Sequence, residues 1–117
     1  MEVRALAKHV PMSAQKARRI VDQVRGRHVV EALEMLRFMP QATATHVEKL
    51  VRSAVANAEE NVGLSRDELY IAYITADEGP GVSPGKGRRP RFGGRGRYRP
   101  IRKRSCHLTV VLDEIEE

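Results

Sequence analysis

The chain has no tryptophan, and only Phe38, Phe92, Tyr70, Tyr73 and Tyr98 are aromatic. Its core must therefore be packed from Ala, Val, Leu, Ile and Met. A single cysteine, Cys106, excludes an internal disulfide and fits a reducing compartment. No apolar run approaches the ~20 residues that a membrane helix needs. The opening MEVRALAKHV lacks the apolar block of a secretion signal. The sequence reads as a soluble intracellular chain, and its 117 residues make one domain.

The most telling absence is of acid. Residues 79–104 contain no Asp or Glu but carry ten cations: Lys86, Arg88, Arg89, Arg91, Arg95, Arg97, Arg99, Arg102, Lys103 and Arg104. The whole chain is +6, so everything outside this segment sums to −4. Residues 1–27 carry +5, residues 28–78 carry −5, and residues 105–117 carry −4. A surface charged only for solubility intersperses both signs. Segregation means that one surface faces a polyanion and another faces water. Guanidinium groups fork onto phosphates and stack on bases, so nucleic acid is the polyanion to expect.

Hydrophobic periodicity divides the rest into strands and helices. Residues 2–10 alternate, with Val3, Ala5 and Ala7 on one face and Arg4, Leu6, Lys8 and Val10 on the other. Pro11 breaks this strand, and Ser13 is a good helix N-cap. Ala14, Ala17, Ile20, Val21 and Val24 form an apolar helical stripe flanked by Arg18 and Arg25. Lys16, Arg19 and Gln23 point the opposite way. Gly26 closes the helix as a left-handed cap. A second helix runs from about Val29 to Met39, and Pro40 stops it. A third covers roughly Ala42 to Asn61, burying Val47, Leu50, Val51, Ala54 and Ala58, with Asn61 and Gly63 at its exit. Residues 69–76, LYIAYITA, are a strand whose two apolar faces favour a central place under the helices. Residues 106–112 are a strand with Cys106, Leu108, Val110 and Leu112 on one face. The basic segment between these two strands shows no helical signal, which makes a long hairpin the economical topology. Half of it could reach roughly 40 Å if extended. Pro80, Pro84, Pro90 and Pro100 remove ladder donors and should interrupt the pairing. Seven of the nine glycines also lie here, so a Gly/Arg-rich segment that orders on binding its polyanion fits the same composition.

No catalytic constellation emerges. Gly85-Lys86 lacks the upstream glycine of a phosphate loop, since Pro80 stands there, and Gly87 replaces the required Ser or Thr. His9, His28, His46 and His107 lie on separate elements without metal-ligand spacing. Cys106 reads as a small inward-facing strand residue. Asp77 and Glu78 are adjacent on a strand, point to opposite faces, and are expected to pair with arginines at the hairpin root. Phe92 and Tyr98 sit among arginines, where they either stack on unpaired bases or stiffen the hairpin across its strands.

Four ordered motifs carry a resemblance. They are Ser13-Ala-Gln-Lys16-Ala-Arg18 with Val24-Arg25-Gly26-Arg27, then Ser53-Ala-Val-Ala-Asn57-Ala-Glu-Glu-Asn61, then Asp77-Glu78-Gly79-Pro80, then Lys103-Arg104-Ser105 with His107-Leu108-Thr109-Val110. Over nearly its whole length the chain resembles the bacterial large-subunit ribosomal protein L-twenty-two family. The resemblance implies an α+β fold, with three helices packed on a small three-stranded antiparallel sheet and a long protruding basic β-hairpin. The body would be 1–78 and 105–117, and the hairpin 79–104.

The resemblance also implies a structural, non-enzymatic role in the ribosome of the cytoplasm. It needs no cofactor, metal, membrane or small-molecule substrate. Its partners would be large-subunit rRNA, neighbouring large-subunit proteins, and the nascent peptide passing a hairpin tip that helps line the exit tunnel. The tip of that family is also implicated in the response to macrolide antibiotics. On this chain the rRNA contacts fall at Ser13, Lys16, Arg18, Arg19, Arg25 and Arg27, and at the ten cations of 79–104. Phe92 and Tyr98 lie toward the tip. There the chain departs from the family pattern: Phe92 stands in Pro90-Arg91-Phe92-Gly93-Gly94-Arg95 where a small residue is usual, and the return to His107 is longer.

The rivals are a free-standing RNA-binding protein or RNA chaperone, a small enzyme with a cationic loop, and a membrane-surface binder. The enzyme lacks converging acid and base groups. The membrane binder lacks large apolar residues in its basic helix, which offers mainly Ala and Val. A partition into core and hairpin makes a direct prediction. Deleting residues 82–99 leaves a chain that keeps its helical circular-dichroism signal and its cooperative melt. Loss of that signal would place the hairpin inside the core.

Overall fold

The structure, a computed structural model, describes residues 2–79, 88–92, 98–102 and 105–115, with the backbone alone described in 88–92 and 98–102. In chain order the described elements are β1 (Val3–Val10), α1 (Ala14–Val24), α2 (Val29–Phe38), α3 (Ala42–Asn57), β2 (Leu69–Glu78), β3 (Arg88–Phe92), β4 (Tyr98–Arg102) and β5 (Cys106–Glu114). The fold is α+β. The helices cover one face of a three-stranded antiparallel sheet of order β1-β5-β2, and β3 and β4 pair as a separate two-stranded ribbon.

Each helix forms where its sequence allows. Ser13 caps α1, its Oγ accepting the Lys16 N–H at 3.3 Å. The stripe Ala14, Ala17, Ile20, Val21 and Val24 is buried. Gly26 adopts φ +79°, the left-handed conformation a side chain would resist, and turns the chain onto the sheet. Val29, Ala32 and Leu36 bury α2. The buried side of α3 is Ala44, Val47, Leu50, Val51, Ala54 and Val55. A π turn at Ala58–Val62 then carries the chain to Gly63, at φ +78°. Small residues at Ala17, Ala32 and Ala54, all fully buried, let the helices approach closely without aromatic filler.

The sheet alternates as strands must. Cys106, Leu108, Val110 and Leu112 of β5 face the helices and are buried. Two expectations need correction. The strand at 69–76 is not central: β5 is, flanked by β1 and by β2 on the far edge. The apolar residues on the outer face of β2 are not under helices, and Tyr73 is 54% exposed. Val10 is not on the outer face either. The register of β1 against β5 slips between Ala7 and Val10, and His9 takes φ +56° there. That bulge adds a residue, which turns Val10 inward to join Val3 and Ala5 in the core.

The ribbon corrects a third expectation. Arg88 pairs with Arg102, Arg89 with Ile101, Pro90 with Pro100, Arg91 with Arg99 and Phe92 with Tyr98, in unbroken register. The two prolines face each other, and neither has an N–H to give. That rung must then be a non-hydrogen-bonded pair, leaving the neighbouring rungs to exchange the hydrogen bonds. Pro90 and Pro100, at such a rung, do not interrupt the ladder; Pro80 and Pro84 lie outside the described residues. The chain is elongated, 65 × 26 × 17 Å with a radius of gyration of 17.2 Å. A compact chain of this length would have about 13 Å.

Leu108 is fully buried on the central strand. Leu108→Ala should cost about 2–5 kcal/mol through lost burial and the cavity left behind, seen as a lowered urea midpoint with an unchanged slope.

Candidate nucleic-acid interface

Six of the sequence-predicted contact residues cluster on and around α1, and the structure divides them by partner. Arg18 Nε donates to the Ala76 carbonyl at 3.1 Å. Arg25 Nη2 donates to the Ile74 carbonyl at 2.9 Å, and its Nη1 pairs with Asp22 at 2.7 Å. Arg27 Nε donates to the Gln23 carbonyl at 2.9 Å, and its Nη1 pairs with Glu31 at 2.7 Å. These arginines hold the fold together as well as presenting charge. Ser13 serves as the helix cap. Lys16 and Arg19 are exposed, and their side chains have no hydrogen-bonding or ionic partner among the described residues.

The partners of Arg18 and Arg25 have a physical logic. As an edge strand, β2 carries a row of open backbone groups. Ile74 and Ala76 offer their carbonyls to the two guanidinium groups. Further along, the Gly26 N–H donates to the Ile71 carbonyl and the Ile71 N–H donates to the Arg27 carbonyl. The flanks of α1 and the turn after it thus cover the edge of the sheet. Arg18 and Arg25 occupy the border of the apolar stripe because that border overlies β2.

Lys16 and Arg19 line a cleft of about 1240 Å³. Its walls are the start of α1 from Pro11 to Lys16, the start of α3 from Gln41 to Thr43 with His46, and the hairpin root at Glu78, Gly79 and Ser105. Two helix N-termini therefore open into one cleft beside two unpaired cations, an arrangement that favours anions. The sequence reading missed the α3 side of this cleft. Nothing around Gln41 or His46 marks it, because the approach of the two helix starts is a product of packing.

The hairpin residues stand differently. Lys86, Arg95, Arg97, Lys103 and Arg104 lie outside the described residues. Arg88, Arg89, Arg91, Arg99 and Arg102 are placed by backbone register alone. Two of the five rungs set Arg opposite Arg. Phe92 and Tyr98 are register partners, the position that cross-strand stiffening requires. The sequence leads one to expect Asp77 and Glu78 to pair with arginines at the hairpin root; the side chains of those arginines lie outside the described residues, and among the described ones neither carboxylate meets an arginine. Cys106 is fully buried, and burial pushes its thiol up from the ordinary value, away from thiolate chemistry. Among the described residues no group of three or more His, Cys, Asp or Glu could hold a metal, and no helix is long and apolar enough to cross a membrane.

Comparison with known proteins adds to this geometry. The family model described as ribosomal protein L22p/L17e matches residues 5–113. The large ribosomal subunit protein uL22 of Synechococcus sp. (strain JA-2-3B'a(2-13)) is 49% identical, covering 99% of this chain and 90% of the relative. The uL22 protein of Thermoanaerobacter sp. (strain X514) is 46% identical, covering 99% of this chain and all of the relative. The large ribosomal subunit protein uL22c of Physcomitrium patens is 49% identical, covering 96% and 91%.

The split between anchored and unpartnered cations is testable by stability. Arg18→Ala and Arg25→Ala should each destabilise the fold by about 1 kcal/mol, since a charged donor to a backbone carbonyl is lost and half-exposure weakens it. Lys16→Ala and Arg19→Ala should stay within about 0.5 kcal/mol of the parent. Urea unfolding of the four variants measures both.

Proposed function

The chain belongs to the ribosomal protein L22p/L17e family, and on that premise we propose how it works: it is an architectural component of the large ribosomal subunit that binds large-subunit rRNA through two cationic surfaces. It is a ribosomal protein and not an enzyme. One surface is the cleft with Lys16 and Arg19, seated against rRNA at the outside of the particle beside neighbouring subunit proteins. The other is the hairpin 79–104, which inserts between rRNA segments and carries its tip to the wall of the nascent-peptide exit tunnel. The body formed by 1–78 and 105–117 anchors it. The setting is the cytoplasmic ribosome.

The observation that carries this reading is the ribbon register. Arg88 opposes Arg102 and Arg91 opposes Arg99, in a segment without a single carboxylate. Like charges directly opposite each other destabilise a strand pair. A hairpin built this way is selected for surroundings that neutralise it, and dense phosphate does so. Every guanidinium that meets a phosphate releases condensed counterions, which makes binding steeply dependent on salt. The family resemblance supports the insertion into rRNA and the tunnel position of the tip.

The reading predicts a graded salt response. The purified chain should bind an rRNA fragment with a logarithmic affinity that falls linearly with the logarithm of salt. Arg91→Gln with Arg99→Gln should flatten that slope by roughly 1.5–2. Arg18→Ala, whose guanidinium is engaged by Ala76, should change it less. In cells, the tagged chain should sediment with large subunits after a high-salt wash. Recovery at the top of the gradient would instead identify a free RNA chaperone.

A further inference from the structure

The root of the hairpin holds a histidine pair that the functions above do not use. His107 of β5 lies opposite Asp77 of β2 on the outer face of the sheet. Its Nδ1 accepts the backbone N–H of His9 at 3.1 Å. The two rings meet edge to face, 5.0 Å apart at 87°. His9 sits in the β1 bulge with φ +56°, a conformation that residues with a side chain avoid. At the neighbouring ring atom, a Cβ placed at Gly79 would stand 3.2 Å from His107 Cε1, and 2.5 Å from Ser105 Oγ. The imidazole therefore fills the space between the bulge of β1 and the first residue beyond β2.

The position of this wedge gives it meaning. Support from β1 ends where Val10 pairs with Cys106. Just beyond that point the Gly79 N–H donates to the Ser105 carbonyl at 3.0 Å, and the next described pairing is the two-stranded ribbon of β3 and β4. A lone two-stranded ribbon twists and bends more freely than a wider sheet. His107 touches the last support at His9, and its ring occupies the space into which a side chain at Gly79, on the outgoing strand, would project.

We propose that His107 is a positioning residue for the hairpin: its Nδ1 pins the bulge of β1, its ring backs the outgoing strand, and together they fix the direction in which the hairpin leaves the sheet. The inference rests on the reading of the hairpin as the RNA-inserting element, and gives that element a preset angle. A preset angle lowers the ordering cost of insertion. The strained backbone at His9 is held by its hydrogen bond to the ring. Because Nδ1 accepts, the ring hydrogen must lie on Nε2.

Spin labels at Lys49→Cys and Arg89→Cys in the full chain, with buried Cys106 left in place, report the angle as a distance distribution. The parent should give one narrow distribution. His107→Leu removes the acceptor and should roughly double the width, with weaker binding of the rRNA fragment because preorganisation is lost. His107→Asn places an amide oxygen near the position of Nδ1 but lacks the ring, and should recover part of the narrowing. An unchanged width in His107→Leu overturns the proposal, as does equal broadening in both variants. Should His107→Leu fail to fold, imidazole nitrogen chemical shifts of the parent decide: a hydrogen on Nε2 supports the latch, and one on Nδ1 overturns it. The parent's salt-dependent RNA binding is measured separately. A narrow distribution without RNA binding would sink the proposed function and leave the latch standing, and RNA binding with an indifferent His107 would do the reverse.

Discussion

The antiparallel pairing of β2 with β5 is the constraint on which everything else rests. It runs from Leu69 against Glu114 to Glu78 against Cys106, with one slip between Ile71 and Tyr73. These two strands are separated in sequence by the whole basic segment. Closing that segment costs entropy, though a longer loop adds to the cost only slowly. What repays it is the buried row of β5, which meets α3 on one side and orders β1 and β2 on its two edges. The basic segment thus begins and ends on adjacent strands of a packed sheet. Its geometry at the root is inherited from the core, and its charge does not need to enter the core.

Charge in α1 serves two ends at once, and geometry separates them. A helix on a sheet has an apolar face, two borders and an outer face. Arginines on the border reach backbone carbonyls of the edge strand, as Arg18 and Arg25 do at Ala76 and Ile74. Cations on the outer face, Lys16 and Arg19, have no such carbonyl in reach. One short helix therefore seals the sheet edge and presents positive charge, and a count of its basic residues cannot tell these tasks apart.

Much of the fold was legible because its signals are local. Ser13 as a cap, the α1 stripe, Gly26 in the left-handed region and the alternation of β5 all follow from short-range rules, and the structure places each as expected. What escaped depends on partners. The apolar residues of β2 look the same for a central strand as for an edge strand sealed by arginines. The phase of β1 was lost at one residue, His9, whose bulge is held by His107, 98 positions away. Of the interface, residue types were readable and assignments were not. Nothing in the sequence says that Lys16 faces the start of α3, or that Arg18 is spoken for by Ala76. For the hairpin, the spacing of Pro90 and Pro100 became meaningful only once register set them opposite each other.

That proline rung bears on why Arg88, Arg89, Arg91, Arg99 and Arg102 ride a ribbon. A bare two-stranded ribbon has two open edges, and open edges invite further strands. At a non-hydrogen-bonded rung the backbone N–H groups point outward, toward a would-be neighbour. Pro90 and Pro100 abolish those donors on both edges at the same level, while the inward ladder at Arg89–Ile101 and Arg91–Arg99 keeps its own. Strand addition is thereby weakened at that level from either side, which adds to the protection that charge repulsion gives the ribbon against self-association. Its faces are left for ligands that need no backbone ladder. Phosphates are such ligands, since they take their hydrogen bonds from guanidinium groups. A tail of the same charge, held at one end only, would leave each contact to order its own stretch of chain. The root of the segment, β2 paired with β5, is ordered by folding of the core, so both ends of the segment are already held on adjacent strands before any ligand is met.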